Sequence, residues 1–334
     1  MIGLPNGFVV AEEQKIFDPG DPATGSCGAE VLDATLAKRG GQWWMFLAGQ
    51  PAGFGAPDLF SASLPPGAPL SAEGWSLTRV DSGGLAPLAN RETSEHWDGK
   101  GGRHCPSYVN GWDPQKERWV ERIYYAGAAE NILGPYTIGF LEWNGERWED
   151  QPAPVFIANA EWERDSVYEP NLIYFDGKWR LWYVAGSNQQ DYLVHGYAES
   201  VDGVSEWSEH QVFAPAELKM FDFCVRQCAD RFEAVYARVS LADSAPSEAG
   251  LWWCTADHPA AMFESWKKNV QIATAEDHGW HKGPWKPSLH YDGIQPQAGF
   301  IFFDGLYRTA DPGPFPFAFT SGCLKLKLRA QEDA

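Results

Sequence analysis

Three carboxylates in this sequence occupy the same place relative to strand-like runs, and carboxylates are side chains that perform acid and base catalysis. The stretch SVYEPNLIYFDGKWRLWY, residues 166–183, has the pattern of a strand hairpin with an Asp-Gly turn. Glu169 stands directly before a proline at the start of its first apolar run. Asp33 and Asp222 open two other apolar runs in the same way. One such carboxyl can accept a proton while another donates one.

The hairpin of residues 166–183 belongs to a weak internal repeat with five copies. In each copy a pivot residue precedes an aromatic position, which lies nine residues further on in the three shorter copies. The pivots are separated by 72, 64, 53 and 64 residues, and they are Ala34, Pro106, Pro170, Phe223 and Pro287. The residues one before them, at what we call the pre-pivot position, are Asp33, Cys105, Glu169, Asp222 and Lys286. Three carboxylates, a thiol and an amine therefore share one repeat position.

The elements that must position these residues are strands. Each copy continues with strand-like runs and turns rich in Gly and Pro, and only HPAAMFESWKKNV has the pattern of a short helix. Five copies of about four strands predict an all-β, single-domain, five-bladed β-propeller, because one copy cannot bury its own faces. We expect the N-terminal run GFVVAEEQKIF to close the ring by pairing near CLKLKLRA. The blades are predicted near residues 30–90, 104–157, 168–214, 221–273 and 285–328.

A propeller turns equal repeat positions into neighbours, because the first strand of each blade lines the central channel. The pre-pivot residues are therefore predicted to meet at one mouth of the channel, on inner strands that begin near 33, 105, 169, 222 and 286. Carboxyls gathered in a partly desolvated mouth have their pKa values pushed apart, so that one is ionised and another protonated. The alternative is that each acid only caps the turn beside it.

The blade pattern resembles, over nearly the whole chain, that of the five-bladed propeller glycosidases of glycoside hydrolase families 43, 62, 32 and 68. The mannoside phosphorylases of family 130 are more distant relatives. The resemblance to family 43 implies that Asp33, ten residues before a Trp-Trp pair, is the catalytic base and that Glu169 is the general acid. The chain departs from the family pattern at Ala34, where the family has proline, and in lacking a residue between Glu169 and Pro170.

A third family carboxylate, which tunes the acid, would follow Pro106, where this chain has Ser107. The resemblance therefore implies that the tuning role has moved, and Asp222 and His104 are the nearest candidates. Asp222 completes the predicted catalytic set with the two acids above. His104 has other interpretations, as a general acid, as a hydroxyl-binding group, or as an ordinary surface or core histidine.

Further residues near the predicted mouth are candidates for substrate binding. They are Glu30, His104, Arg226, Trp285 and Lys286. We choose Trp285 among them as the stacking platform for a sugar ring. The polar segment 90–104 suits a loop over the mouth in which His96 and Trp97 contact sugar, and an exposed loop without that role is the alternative. The basic residues, Arg103 included, alternatively form salt bridges with neighbouring acids.

The composition favours a carbohydrate ligand. The 334 residues carry a formal net charge of −19, which repels nucleic acid and an anionic membrane surface. The 17 Trp and 12 Tyr offer faces for stacking on sugars, although most are expected in the core. No phosphate loop, nucleophile elbow or zinc-binding helix motif occurs, and we predict no cofactor or metal. A His/Cys metal site drawn from Cys27, His104, Cys105 and Cys224 is the alternative.

The six cysteines have no metal-type spacing, and we expect free thiols. The N-terminal run MIGLPNGFVVAEEQ has no basic region followed by a long apolar run, so we expect a cytoplasmic protein. A secreted protein trimmed of its signal would have the same sequence. No run approaches the ~18 apolar residues of a membrane span. The sequence does not indicate an oligomeric state.

These observations predict a glycoside hydrolase, and the resemblance implies a furanoside or a pentose-containing glycan as its substrate. Hydrolysis requires Asp33 and Glu169 to face one cavity. The first alternative is a phosphorylase that holds phosphate with Arg103, His104, Arg226 and Lys286. The second is a non-catalytic sugar-binding propeller, whose acids need not face the cavity.

Overall fold

The computed structural model is a five-bladed β-propeller, as predicted from the sequence repeat. Five four-stranded antiparallel sheets make up its described part. The described residues are 3–4, 6–17, 30–50, 56–89, 96–186, 193–238, 248–259, 262–274, 280–281, 283–293, 296–308 and 317–329. Among them, helical structure is confined to three 3₁₀ turns at Glu161–Glu163, Ala216–Leu218 and Phe263–Ser265. Within this part of the chain, none of the helices has the length and apolar content that crossing a membrane requires.

The strands follow one another blade by blade, each blade running from the channel outwards. The first strand is β1 (Phe8–Phe17). Blade one contains β2 (Glu30–Arg39), β3 (Gln42–Gln50), β4 (Asp58–Ser63) and β5 (Ser76–Leu77). Blade two contains β6 (Gly102–Asp113), β7 (Arg118–Ala128), β8 (Tyr136–Trp143) and β9 (Trp148–Asp150). Blade three contains β10 (Val167–Phe175), β11 (Lys178–Ala185), β12 (Val194–Ser200) and β13 (Gln211–Ala214).

Blades four and five complete the ring. Blade four contains β14 (Met220–Gln227), β15 (Phe232–Arg238), β16 (Gly250–Ala256) and β17 (Lys267–Thr274). Blade five contains β18 (Pro284–Tyr291), β19 (Ala298–Arg308), β20 (Phe317–Leu328) and, outermost, β1. The register of β1 on β20 runs from Phe8 opposite Leu328 to Phe17 opposite Ser321, so the last blade uses strands from both ends of the chain. Such pairing protects the edge of the sheet.

The hydrophobic core is divided into layers between neighbouring blades. One cluster lies between blades one and two, and others lie between two and three, three and four, four and five, and five and one. A sixth cluster, which includes Tyr136, Tyr168 and Phe221, lies near the starts of the inner strands, with Trp285 packed against it. The inner strands begin two or three residues before the predicted starts. Each pre-pivot residue therefore sits inside a strand and not at its first residue.

Candidate active site

All five inner strands carry a β-bulge at the pre-pivot position. The pairing with the second strand shifts between Leu32 and Thr35 in blade one and between the corresponding residues of blades two, three and five, whereas in blade four it shifts one residue earlier. In blades two, three and five a proline follows the pre-pivot residue. Proline has no N–H to donate and fits where no ladder bond forms. The bulge interrupts the ladder and re-aims the side chain at this position.

Four of the pre-pivot residues also have an unusual backbone conformation. The φ angles of Asp33, Cys105, Glu169 and Lys286 lie between 45° and 60°. A non-glycine residue in this region carries strain of roughly 1–3 kcal/mol, and such strain clusters at functional sites. Asp222 has no positive φ, and its bulge is displaced by one residue, between Met220 and Phe223.

The buried carboxyls tie neighbouring blades together. The Asp33 Oδ2 accepts the backbone N–H of Cys105 at 2.8 Å, and Asp222 Oδ2 accepts that of Lys286 at 2.9 Å. In both cases the acceptor and the donor hold the same position in consecutive blades. The N–H of Asp33 donates in turn to Asp304 Oδ2 at 2.8 Å. The five pre-pivot residues and Asp304 are all buried, and we call these six residues the mouth cluster.

The one amine of the mouth cluster lies between two of its carboxyls. The Lys286 Nζ is 2.5 Å from Glu169 Oε2 and 3.6 Å from Asp222 Oδ1. Burial alone would lower the pKa of Lys286, but the Glu169 and Asp222 charges leave it well above its ordinary value. Burial alone would likewise raise the pKa of Glu169, but the Lys286 ammonium, aided by His104 and Cys105, leaves it lowered. Glu169 and Lys286 therefore form a buried ion pair.

The other three carboxyls of the cluster have raised pKa values, opposite to the lowered pKa of Glu169. Burial, with the Glu169 charge adding to it, raises the pKa of Asp33 to about 6. Burial and the same charge hold the pKa of Asp222 well above its ordinary value. Burial and the nearby Asp33 charge do so for Asp304. The cluster thus combines an Asp33 with a pKa of about 6, a Glu169 with a lowered pKa and an Asp222 with a raised one.

The direction of the pKa shift of Glu169 differs from the one that the sequence predicted. The sequence-based prediction made Glu169 the protonated acid and Asp33 the ionised base. In the structure the lowered pKa of Glu169 keeps its carboxyl ionised, because the Lys286 ammonium contacts it directly. The carboxyl whose pKa is raised is instead that of Asp222, through its burial and the nearby Glu169 charge.

Aromatic side chains and unpartnered polar atoms surround the cluster. The ring of Phe221 packs 4.0 Å from Trp285 and 6.2 Å from Tyr168, measured between ring centroids. Trp285, the predicted stacking platform, is partly exposed beside them. Several buried polar atoms here have no hydrogen-bond partner among the described residues, and they are His104 Nε2, Tyr168 Oη, Asp222 Oδ1 and Asp304 Oδ1. Buried polar atoms normally have partners, so this concentration indicates a place for a polar ligand.

Other predicted residues do not reach the mouth. Arg226 is exposed and lies four residues beyond Asp222 on β14, about 13 Å along the strand at ~3.3 Å per residue. Arg103 is fully buried and is held by Asp98 at 2.6 Å and by Asp150. With Lys286 already paired to Glu169, these described residues do not assemble the basic cluster that phosphorolysis requires. The side chain of Glu30 lies outside the described part of the chain.

The predicted mouth loop is only partly described. Residues 90–95 lie outside the described part. Trp97 stacks on Tyr125, with centroids 5.5 Å apart, and donates its indole N–H to the Gln151 carbonyl at 3.2 Å. His96 bonds to Asp98 at 2.5 Å through Nδ1. Both side chains therefore have packing roles, and neither is needed to explain the mouth cluster.

Two members of the site were absent from the sequence-based prediction. Asp304 lies on β19, the second strand of its blade, and it reaches the mouth because it pairs with Trp285 of β18. Tyr168 directly precedes Glu169, and its buried hydroxyl has no hydrogen-bond partner among the described residues. The repeat contained a signal for Tyr168, since aromatic residues also precede the pre-pivot position in blades four and five. No repeat signal marked Asp304.

One group of metal-ligand type occurs among the described residues. Asp33, His104 and Cys105 each offer a donor atom, and these atoms lie within 4.8 Å of one another. However, Asp33 Oδ2 accepts a backbone N–H, and the Cys105 thiol contacts His104 Nδ1. We assign the three residues to the hydrogen-bond network. The described cysteines, Cys105, Cys224, Cys228, Cys254 and Cys323, are free thiols, and Cys27 lies outside the described part.

The likeness of this chain to known proteins lies in its three-dimensional structure. No protein-family model and no curated protein matches the sequence. Among solved structures, the chain is similar to Zg3597, a family 117 glycoside hydrolase of the marine bacterium Zobellia galactanivorans. The TM-score is 0.64 at 13% identity, covering 98% of this chain and 92% of the other.

Two further structures represent other glycosidase families. The family 62 α-L-arabinofuranosidase catalytic domain of Coprinopsis cinerea matches with a TM-score of 0.60 at 12% identity, covering 94% and 95% of the two chains. A family 43 enzyme from Xanthomonas citri, complexed with xylotriose, matches at 0.60 and 14% identity, covering 95% and 91%. At these identities the likeness concerns the fold. The protein thus has the five-bladed propeller architecture found in glycoside hydrolase families 43, 62 and 117.

Proposed function

We propose that the protein hydrolyses glycosidic bonds of furanosides or pentose-containing glycans at the channel mouth. The observation that carries this proposal is the mouth cluster, where buried carboxyls with pKa values shifted in opposite directions stand together. Glycoside hydrolysis requires such a pair: one carboxyl protonates the leaving oxygen, and the other acts as base or nucleophile. The alternative in which the acids only cap turns does not account for their shared burial and mutual pKa shifts.

Asp33 is the base or nucleophile in this proposal. A pKa of about 6 leaves its carboxylate ionised at neutral pH and poised to take a proton. The N–H of Cys105 holds Oδ2, which fixes the orientation of the carboxylate. The other oxygen is left to act on a water molecule or on the anomeric carbon.

Glu169 and Asp222 act together as the proton donor. Two coupled carboxyls share their protons, and in this pair Asp222, whose pKa is raised, holds the proton more firmly than Glu169, whose pKa is lowered. Transfer of that proton to Glu169 places it at the position that the family resemblance gives to the general acid. The Lys286 ammonium, within 4 Å of both carboxyls, stabilises whichever of the two is ionised.

Two features support a pentose or furanose ring as the sugar. The structural relatives include an α-L-arabinofuranosidase and an enzyme complexed with xylotriose. The mouth offers a partly exposed indole, Trp285, for the apolar face of a ring, and unpartnered atoms of Tyr168 and His104 for its hydroxyls. The substrate class is therefore the part of the proposal that depends most on the likeness to relatives.

A panel of 4-nitrophenyl pentosides tests the proposal. The wild-type protein should release nitrophenol from the α-L-arabinofuranoside or the β-D-xyloside, and Asp33→Asn should not. The kcat/KM value should fall on the acid side as pH drops through about 6, because Asp33 becomes protonated. A folded wild-type protein that cleaves none of the pentosides would refute this function. Formation of a sugar phosphate in phosphate buffer would indicate phosphorolysis instead.

A further inference from the structure

The side chains of His104, Cys105 and Glu169 are connected in that order by hydrogen bonds. The imidazole Nδ1 of His104 is 2.6 Å from the Sγ of Cys105. The thiol lies within hydrogen-bonding reach of the Glu169 carboxylate. The His104 ring packs edge-on against Tyr136, with centroids 4.6 Å apart, and this contact limits its rotation.

The direction of the hydrogen bonds in this chain follows from its two ends. An ionised carboxylate only accepts hydrogen bonds, so the single thiol proton of Cys105 is directed towards Glu169. The sulfur can then only accept a hydrogen bond from His104. The Nδ1 atom of His104 is therefore protonated and donates to the sulfur. Burial lowers the pKa of His104 to about 4, so the ring is neutral and carries one proton in all. Its Nε2 is consequently without a hydrogen.

The remaining nitrogen is an acceptor without a partner. The Nε2 of His104 is buried and makes no hydrogen bond to any described residue. Leaving a buried acceptor unmatched is unfavourable, whereas a ligand O–H placed there completes it. The sugar of the proposed reaction carries hydroxyls that can donate in this way. Because Nε2 can only accept, it would bind such a hydroxyl through its O–H.

We propose that Cys105 is a positioning residue that holds His104 in its Nδ1-protonated tautomer, so that Nε2 accepts a hydroxyl proton of the bound sugar. The identity of the bound molecule rests on the proposed function, whereas the tautomer does not. This assigns a role to the thiol at the pre-pivot position of blade two, a position at which three other blades have a carboxylate. Because the Cys105 thiol is neutral, it holds His104 without adding another negative charge to the mouth.

The tautomer is directly measurable by NMR on protein labelled with ¹⁵N-histidine. Among the eight histidines, the signal of His104 is identified by its loss in His104→Gln. The proposal expects the proton of His104 on Nδ1 in the wild-type protein. In Cys105→Ala the sulfur is gone, and the ring should revert to the Nε2-protonated form that an unconstrained imidazole favours. Cys105→Ser should retain the Nδ1-protonated form, because a hydroxyl can both donate and accept.

The matched control is Cys228→Ala, since Cys228 is a half-buried thiol outside the mouth cluster and should leave the His104 signal unchanged. A wild-type His104 protonated on Nε2 would overturn the proposal. An unaltered tautomer in Cys105→Ala would overturn it as well. Neither result depends on glycosidase activity, so the fate of this inference is separable from that of the proposed function.

The sugar contact is tested by kinetics on deoxy pentosides. Removal of the hydroxyl that binds Nε2 should raise the KM of the wild-type enzyme roughly fivefold to tenfold, as expected for one neutral hydrogen bond. His104→Ala should show the higher KM with the parent sugar and no further loss with that deoxy sugar. Cys105→Ala should affect KM more than kcat. If every deoxy sugar raises the KM of His104→Ala by the same factor as the KM of the wild type, Nε2 does not bind a hydroxyl.

Discussion

At the scale of single residues, the mouth cluster holds carboxyls in states that do not favour folding. Asp33 is buried with a pKa of about 6 and a strained backbone, and the pKa of the buried Glu169 is lowered chiefly because Lys286 contacts it. An acid whose pKa is raised by folding stabilises the protein below its unfolded pKa and loses that contribution as pH rises through the folded pKa. Ionisation of Asp33, which the proposed chemistry needs as a base, therefore lowers the stability of the protein above about pH 6.

We expect Asp33→Asn to become more stable relative to the wild type as pH rises. The wild-type protein must ionise a buried Asp33 between pH 4 and pH 8, at a cost on the order of 2–3 kcal/mol for a shift from 3.8 to about 6. Asparagine cannot ionise, and its side-chain oxygen can still accept the Cys105 N–H. Urea unfolding of both proteins at pH 4.5 and pH 8 measures the difference. Asp176→Asn, at an exposed turn, is the control, and an equal change in the two variants would contradict the pKa of Asp33.

At the scale of elements, the inner strands are joined by side chains just beyond the bulge. Ser107 Oγ accepts the N–H of Leu172 at 3.0 Å, and Asn171 Oδ1 accepts that of Val225 at 2.9 Å. In both bonds the acceptor stands two residues after the pre-pivot position, and the donor stands three after it in the next blade. The serine found where the family has a tuning carboxylate therefore has a structural role in the ring.

Ser107→Ala should destabilise the protein by about 1–3 kcal/mol. The substitution leaves the buried N–H of Leu172 without its acceptor, and an unmet buried donor costs about that much. Chemical unfolding measures the loss, and Ser76→Ala, at an exposed position of β5, is the control with an expected change within about 0.5 kcal/mol. The kcat/KM value of folded Ser107→Ala should remain close to that of the wild type. A loss of activity without a loss of stability would assign Ser107 to the chemistry.

The repeat predicted the architecture and the neighbours at the mouth because ring closure brings equal positions together. It could not reveal contacts that depend on distances between blades. Asp304 reaches Asp33 only through the pairing of β19 with β18, and Lys286 reverses the charge state of Glu169 only because its amine lies 2.5 Å away. Arg226 was predicted near the mouth, but four residues of extended strand separate it from Asp222.

At the scale of the whole molecule, a buried carboxylate links the N-terminal segment to two blades. Glu233 of β15 accepts hydrogen bonds from Asn6 at 3.1 Å, from Trp253 at 3.2 Å and from Tyr291 of β18. Arg231 pairs with it at 2.7 Å. Glu233 is 1% exposed, so these donors have little access to water as a substitute. The residue supports the closure of the ring where β1 joins blade five.

Glu233→Ala should destabilise the whole propeller by about 2–5 kcal/mol, because the buried Trp253 N–H and Tyr291 hydroxyl lose their acceptor and each unmet buried donor costs about 1–3 kcal/mol. Urea denaturation followed by tryptophan fluorescence measures the loss. Glu248→Ala removes a carboxylate that is 60% exposed and paired with Arg238, and it should cost at most about 1 kcal/mol. Similar losses in the two variants would show that Glu233 does not contribute to the closure of the ring.

The leaving-group dependence of the mouth-cluster variants tests the central claim most directly. The measurement is kcat/KM for Asp33→Asn, Glu169→Gln and Asp222→Asn on an alkyl pentoside and on its 4-nitrophenyl counterpart. The account predicts that Asp33→Asn abolishes cleavage of both. The other two variants should lose roughly 10²–10⁴-fold on the alkyl pentoside and retain much of their activity on the aryl one, whose leaving group departs without a proton. Equal losses on both substrates in Glu169→Gln and Asp222→Asn would contradict a proton donor made of this pair.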